Sequence, residues 1–157
     1  SAYRGNKDIV ELLLDHKADA NAQGGQYANA LQASAAEGNK DIVQLLLEYK
    51  ADANAKGGYY GNALQAAVDQ GNKDIVQLLL EHKADANAQG GYYGNALQAA
   101  ADQGNQDIVH LLLEHKADAN AQGGYHGNAL QAASAQGHKD IVQVLLDHEA
   151  DSNAQGG

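Results

Sequence analysis

The chain contains no cysteine, methionine, tryptophan, phenylalanine or proline. Without cysteine, disulfides and thiolate metal sites are excluded. Without methionine, the sequence as given is not expected to begin at a translation start. Long apolar runs are also missing. The longest is of the Leu12-Leu13-Leu14 kind, far short of the ~20 residues that span a bilayer, and nothing at the amino end reads as a signal peptide. This leads us to expect no membrane association and a cytoplasmic, intracellular location. Basic residues are scarce, with 10 Lys and Arg against 20 Asp and Glu for a formal charge of −10. A phosphate backbone needs clustered Lys and Arg, so nucleic acid is excluded as a partner. An acidic surface favours solubility and, secondarily, a basic partner.

What is present is a repeat. The string Gly-Asn-Lys-Asp-Ile-Val begins at Gly5, Gly38 and Gly71, with variants at Gly104 and Gly137, in steps of 33. Asn-Ala-Leu-Gln-Ala begins at Asn29, Asn62, Asn95 and Asn128 with the same step. Cutting at the double glycines gives full units 24–56, 57–89, 90–122 and 123–155. Residues 1–23 are the back part of an earlier unit, and Gly156 and Gly157 open another. No linker interrupts the pattern, so 1–157 reads as one domain of 157 residues.

Each unit encodes two helices. In the unit from Gly57, Asn62 caps the first helix, and Gln65 is placed to reach back and complete a capping box. Leu64, Ala67 and Val68 share a face at helical spacing. Gly71 ends the helix in a left-handed conformation. The second helix starts near Asn72 or Lys73, with Asp74 at the positive end of its dipole. Its apolar set is Ile75, Val76, Leu78, Leu79 and Leu80, while Glu81 and His82 face outward. Residues 84–94 form a hairpin-like loop towards the next unit. One such pair cannot bury its stripe alone, so copies must stack, and the two ends of the stack need polar caps. No cap is evident. Either the chain is a piece of a longer array, or its ends stack head to tail on other copies.

The period and its residues resemble the ankyrin repeat. Matching positions in one unit are Leu64, Ala67, Gly71, Ile75, Val76, Leu78, Leu79, Leu80, Ala84, Asp85, Asn87 and Ala88. The resemblance implies an all-α solenoid of helix-turn-helix units joined by hairpin-like loops. It also implies that the loop tips and the face of the first helices line a concave surface that binds other proteins. The departures are periodic. Asn62-Ala63-Leu64-Gln65 stands for the family's Thr-Pro-Leu-His. Lys83 stands where the family has a left-handed Gly, at a cost of up to about 1–2 kcal/mol. Ala86 replaces Val, giving up about 1–2 kcal/mol of burial. These predict an array softer than a consensus protein of equal length, melting below about 90 °C. The form at Gly57 to Ala67 is similar to that of long fungal arrays, often the sensor region of NACHT-type nucleotide-switch proteins. This chain has no Gly-x-x-x-x-Gly-Lys-Ser/Thr loop, so any nucleotide module lies outside it.

Two surfaces are candidates for a protein partner. The first is a double column of aromatic residues on the loops: Gln26, Tyr59, Tyr92, Tyr125 beside Tyr27, Tyr60, Tyr93, His126. Adjacent residues of an extended loop point different ways, so one column is expected to pack inside and the other to be exposed. Helix spacing predicts rungs about 8–10 Å apart. Tyrosine offers contact area at low entropic cost. The second candidate is the outward face of the first helices. Its columns are Ala33, Ala66, Ala99, Ala132; Ala36, Asp69, Asp102, Ala135; and Glu37, Gln70, Gln103, Gln136, continued in the incomplete unit by Tyr3 and Arg4. Identities vary there more than in the core, as expected of a partner-reading face and equally of neutral drift.

No cofactor or metal site is expected. His16, His82, His115 and His148 form a column broken by Tyr49, but at about 10 Å spacing no two can share an ion. These read as solvated surface histidines. His110 and His115 are five apart and do not share a helix face. Catalysis is not expected either. Ser1, Ser34, Ser134 and Ser152 have no recurring His and Asp around them, and Asp74, Glu81 and Asp85 recur in every unit with helix-end and turn roles.

Overall fold

The computed structural model describes residues 6–153. Ser1, Tyr3, Arg4, Gly156 and Gly157 lie outside the described residues. The described chain forms nine α-helices: α1 Lys7–Asp15, α2 Ala30–Ala36, α3 Lys40–Glu48, α4 Ala63–Asp69, α5 Lys73–Glu81, α6 Ala96–Asp102, α7 Gln106–Glu114, α8 Ala129–Ala135 and α9 Lys139–Asp147. Short first helices alternate with longer second helices in an all-α repeat, and the only bridges among the described residues are isolated pairs at the loops, such as Gly90 with Gly94.

The stops and starts follow the local chemistry. Asn62 is extended and its Oδ1 accepts from the Gln65 N–H at 2.8 Å, satisfying one of the open amides of the first turn. Gly71 ends the unit's first helix with φ +68. The capping box, however, is not closed. Gln65 is buried and its Nε2 donates to the Ala88 carbonyl of the following loop at 3.5 Å, while its Oε1 has no partner. The same reach runs from Gln32 to Ala55 and from Gln98 to Ala121, both at 3.1 Å. The glutamine joins first helix to next loop rather than closing its own cap.

A second difference concerns the first helices. Ala33, Ala66, Ala99 and Ala132 are buried, not outward. Each first helix is only seven residues long, and α4 and α6 each lie between two similar helices. With neighbours on two sides and its own second helix on a third, only the C-terminal end of the helix stays open. There Asp69 and Asp102 are half-buried and Glu37, Gln70, Gln103 and Gln136 are exposed. Ala36 is buried and Ala135, at the last unit, is exposed.

The core is one continuous cluster, with Leu31, Ile42, Leu64, Ile75, Leu97, Ile108 and Ile141 repeating along it. Its first rung differs. Ile9, Leu12 and Leu13 of α1 are 45%, 58% and 49% exposed, whereas Ile42, Leu45 and Leu46, one period on, are at most 5% exposed. An apolar recess of about 390 Å³ opens there, lined by Val10, Leu13, Leu14, Tyr27, Ala30 and Leu46.

Polar ladders bind the units together. Asn87 donates through Nδ2 to the Lys116 carbonyl at 3.0 Å and accepts through Oδ1 from the Asp118 N–H at 2.7 Å. Asn21, Asn54 and Asn120 do the same one unit apart. Asp85 holds this asparagine by accepting from the Asn87 N–H at 2.9 Å, the aspartate turn that the sequence suggests. Lys17, Lys50, Lys83, Lys116 and Glu149 are all left-handed, with φ from 62 to 65. The backbone at the family's glycine position is therefore unchanged, and the side chains carry its cost. Their carbonyls, from Lys50 onward, are the ones the asparagines grip.

The histidine column also has a local task. His82 ends α5, and its Nδ1 donates to the Leu78 carbonyl at 2.9 Å. His16, His115 and His148 make the same bond at 2.8–2.9 Å. They are helix C-caps that return to their own helix, not merely solvated side chains. Tyr49 lacks this geometry and instead donates to Asp15 of the preceding unit.

Candidate binding surface

The two aromatic columns separate cleanly. Tyr59, Tyr92 and Tyr125 are exposed at 57%, 43% and 70%, whereas Tyr93 is 9% exposed and Tyr27, Tyr60 and His126 are half-buried. Alternation along the loop accounts for this, since neighbouring residues point to opposite sides. Within each loop the two rings meet edge to face, at 5.2 Å for Tyr59 and Tyr60, 5.1 Å for Tyr92 and Tyr93 and 4.9 Å for Tyr125 and His126.

Between loops the outer rings stack. Tyr59 and Tyr92 are 6.0 Å apart at 12°, and Tyr92 and Tyr125 are 5.4 Å apart at 16°. Tyr27 and Tyr60 of the inner column are 6.4 Å apart. These rungs are closer than helix spacing predicts. For the outer column the reason is a backbone link between loops: the Tyr92 N–H donates to the Tyr59 carbonyl at 3.3 Å and the Tyr125 N–H to the Tyr92 carbonyl at 3.2 Å. Hydrogen-bonded backbones lie strand-like, about 4.8 Å apart, and draw the rings together. Two glycines per loop allow the approach. Gly91 has φ +66, and a Cβ on it would lie 2.3 Å from the Tyr60 carbonyl oxygen.

The inner column reaches the carboxylates of the first helices. The Tyr93 hydroxyl donates to Asp69 Oδ1 at 2.6 Å and accepts from Gln103 Nε2 at 2.9 Å. Burial first, and the bond to Asp69 second, push the Tyr93 phenol well above the usual tyrosine range. Tyr60 is raised too, by burial and then by the charge of Asp69. One unit later the imidazole of His126 replaces the phenol, with Nε2 2.8 Å from Asp102 Oδ1, which also accepts from Gln136 at 2.9 Å. His138 Nε2 donates to the Asp102 carbonyl at 3.1 Å. Asp69 and Asp102 therefore knit units together while sitting beside the exposed ladder. Of the candidate residues, Tyr59, Tyr92, Tyr125, Gln70 and Gln103 reach solvent, and Tyr60, Tyr93, His126, Asp69 and Asp102 form the layer beneath.

The remaining groups are engaged locally. Ser34 and Ser134 donate to the carbonyls of Ala30 and Leu130 on their own helices. Lys40 pairs with Asp74 at 3.2 Å and Lys73 with Asp107 at 3.6 Å, both exposed and each joining successive second helices. Among the described residues no group of three or more His, Cys, Asp and Glu is placed to hold a metal ion, and no helix is long and apolar enough to cross a membrane.

Sequence reasoning missed the asparagine ladder, the helix-to-loop glutamines and the histidine caps. A signal for the ladder existed: Asn87 recurs in the full units without a helix-start or core role of its own.

A family model described as ankyrin repeats (3 copies) matches residues 1–90 and 89–156 of the chain. No curated protein matches it.

Proposed function

The chain belongs to the ankyrin-repeat family, whose arrays are generally protein–protein interaction modules and typically non-enzymatic, and we propose that this one is a non-catalytic, intracellular recognition scaffold for another protein. The observation that carries the reading is the exposed ladder of Tyr59, Tyr92 and Tyr125, held by ring stacking and by backbone bonds between loops. A pre-ordered aromatic surface binds with little further loss of freedom. The contact surface is Tyr59, Tyr92, Tyr125, Gln70 and Gln103, with Tyr60, Tyr93, His126, Asp69 and Asp102 fixing it from below. The similarity of Gly57 to Ala67 to long fungal arrays supports a finer reading: a segment of the recognition or sensor region of a larger, cytoplasmic NACHT-type protein.

The test is capture of the partner by the array and by its Tyr92→Ala/Tyr125→Ala variant. Loss of capture with an unchanged helical circular-dichroism signal supports the reading. Undiminished capture overturns this surface.

A second reading, self-association of copies head to tail, is favoured by one observation, the exposure of Ile9, Leu12 and Leu13 on α1 and of Leu146 on α9. A molar mass by light scattering that stays monomeric as concentration rises excludes it.

A further inference from the structure

We propose that the outer tyrosine ladder takes an arginine-rich, basic segment of a partner protein; this rests on the scaffold reading above and names the class of its partner. Three observations converge. The front half of each full unit, residues 24–38, 57–71, 90–104 and 123–137, contains no Lys or Arg, and its charged groups are Glu37, Asp69 and Asp102, with His126 the one imidazole. The nine lysines lie elsewhere, on the second helices, their ends and the loop before Gly57, and Arg4 is outside the described residues, so within the full units nothing on this strip but His126 repels a cation.

Asp102 is close to the ladder and only partly used. The charge of Asp102 is one of the influences that raise the Tyr92 phenol, after burial and the neighbouring tyrosines. Asp102 receives its side-chain hydrogen bonds on Oδ1, from His126 and Gln136. Among the described residues its Oδ2 accepts none, and the side chain keeps 15% of its exposure. A carboxylate with one oxygen fixed and the other open is a ready acceptor for a guanidinium.

The rings themselves suit the same group. Stacking of Tyr59, Tyr92 and Tyr125 uses the faces between them, yet the three residues keep 57%, 43% and 70% of their exposure. A planar guanidinium both stacks on an aromatic face and donates to hydroxyl and carboxylate oxygens, which a lysine ammonium does less well. An acidic or nucleic-acid partner would meet only Glu37, Asp69 and Asp102 here, and is disfavoured by their charge and by the net −10.

The experiment titrates the chain with three synthetic peptides of equal length, alternating serine with arginine, with lysine or with alanine, and follows the tyrosine ring resonances by nuclear magnetic resonance. The arginine peptide is expected to bind most tightly and to shift the rings of Tyr92 and Tyr125. Its affinity should fall at least tenfold in Tyr92→Ser/Tyr125→Ser but not in Glu81→Gln/Glu114→Gln on the second helices. Equal loss in both variants, or loss only in the second, overturns the proposal by showing attraction to the acidic surface at large. Equal binding of the alanine peptide at the ladder overturns the basic class while leaving the scaffold reading standing. No shift of the rings with any peptide overturns the proposal and removes the ladder as the contact surface.

Discussion

Replacing Asn87 by alanine removes two hydrogen bonds between neighbouring units at once. Its Nδ2 grips the Lys116 carbonyl at 3.0 Å and its Oδ1 receives the Asp118 N–H at 2.7 Å. Each such bond contributes about 0.5–1.5 kcal/mol net. Asn87 is exposed, so the groups left behind rehydrate and no burial penalty is added, giving about 1–3 kcal/mol for Asn87→Ala. With an m-value of about 2 kcal/mol/M, a loss of about 2 kcal/mol moves the urea midpoint down by about 1 M. The fold supplies its own control. Asn153 occupies the same place at the last described rung, with its N–H on Asp151 Oδ1 but no following unit among the described residues for its side chain to grip. Asn153→Ala is therefore expected to cost less than about 0.5 kcal/mol, as a surface change does. Asn87→Asp keeps the acceptor and loses the donor, and falls between the two. Urea unfolding followed by circular dichroism measures all three. Equal effects at Asn87 and Asn153, or a shift at Asn87 within error of zero, would refute the claim that this ladder joins the units. Because stability in such arrays is close to a sum of unit and junction contributions, the Asn87→Ala transition is also expected to broaden.

Three further outcomes are expected. Tyr93→Phe loses the bonds to Asp69 and Gln103 and costs about 1–2 kcal/mol. The Tyr93 phenol is held protonated in the folded state, so its contribution is complete below the unfolded value near pH 10 and is lost as pH rises above it; melts between pH 9 and 11 should show a shallower decline in the variant. Lys83→Gly frees a residue held at φ 65 and is expected to raise the urea midpoint by the equivalent of up to about 1 kcal/mol; a lower midpoint contradicts the strain. Gly91→Ala places a Cβ 2.3 Å from the Tyr60 carbonyl oxygen at φ +66 and is expected to destabilise by about 3 kcal/mol, with loss of the tyrosine near-ultraviolet signal; a stable variant with that signal intact argues against the close approach of the loops.

What the sequence made legible was local or strictly periodic. The 33-residue step is plain in the sequence, Asn62 as a cap and Gly71 as a stop follow from short-range chemistry, the resemblance implies the left-handed position at Lys83, and the structure has each of them. So does the division of the tyrosines into an inner and an outer column. What it hid were pairings between parts of the chain far apart in sequence. Gln65 looks like the back half of a capping box because local spacing offers no other partner, yet the Ala88 carbonyl comes to it from the next loop. Ala66 looks outward on a helical wheel, but a seven-residue helix between two others has little outward face. The rungs were placed too far apart because helix spacing was applied to loops that pair by their backbones. In each case the deciding atoms lie beyond the reach of local spacing.

The backbone bonds between loops have a geometric consequence. Along the tyrosine edge, neighbouring units are held at a strand's separation, about 4.8 Å. Along the helical body they stand about 8–10 Å apart. A strip shorter on one border than on the other is an arc, and its bend is written into the two bonded junctions by the difference between the two lengths. The tyrosines lie on the short border. Anything that pries two of them apart lengthens that border, opens the arc and moves the far units most, so the tips act as the short arm of a lever whose long arm is the whole chain.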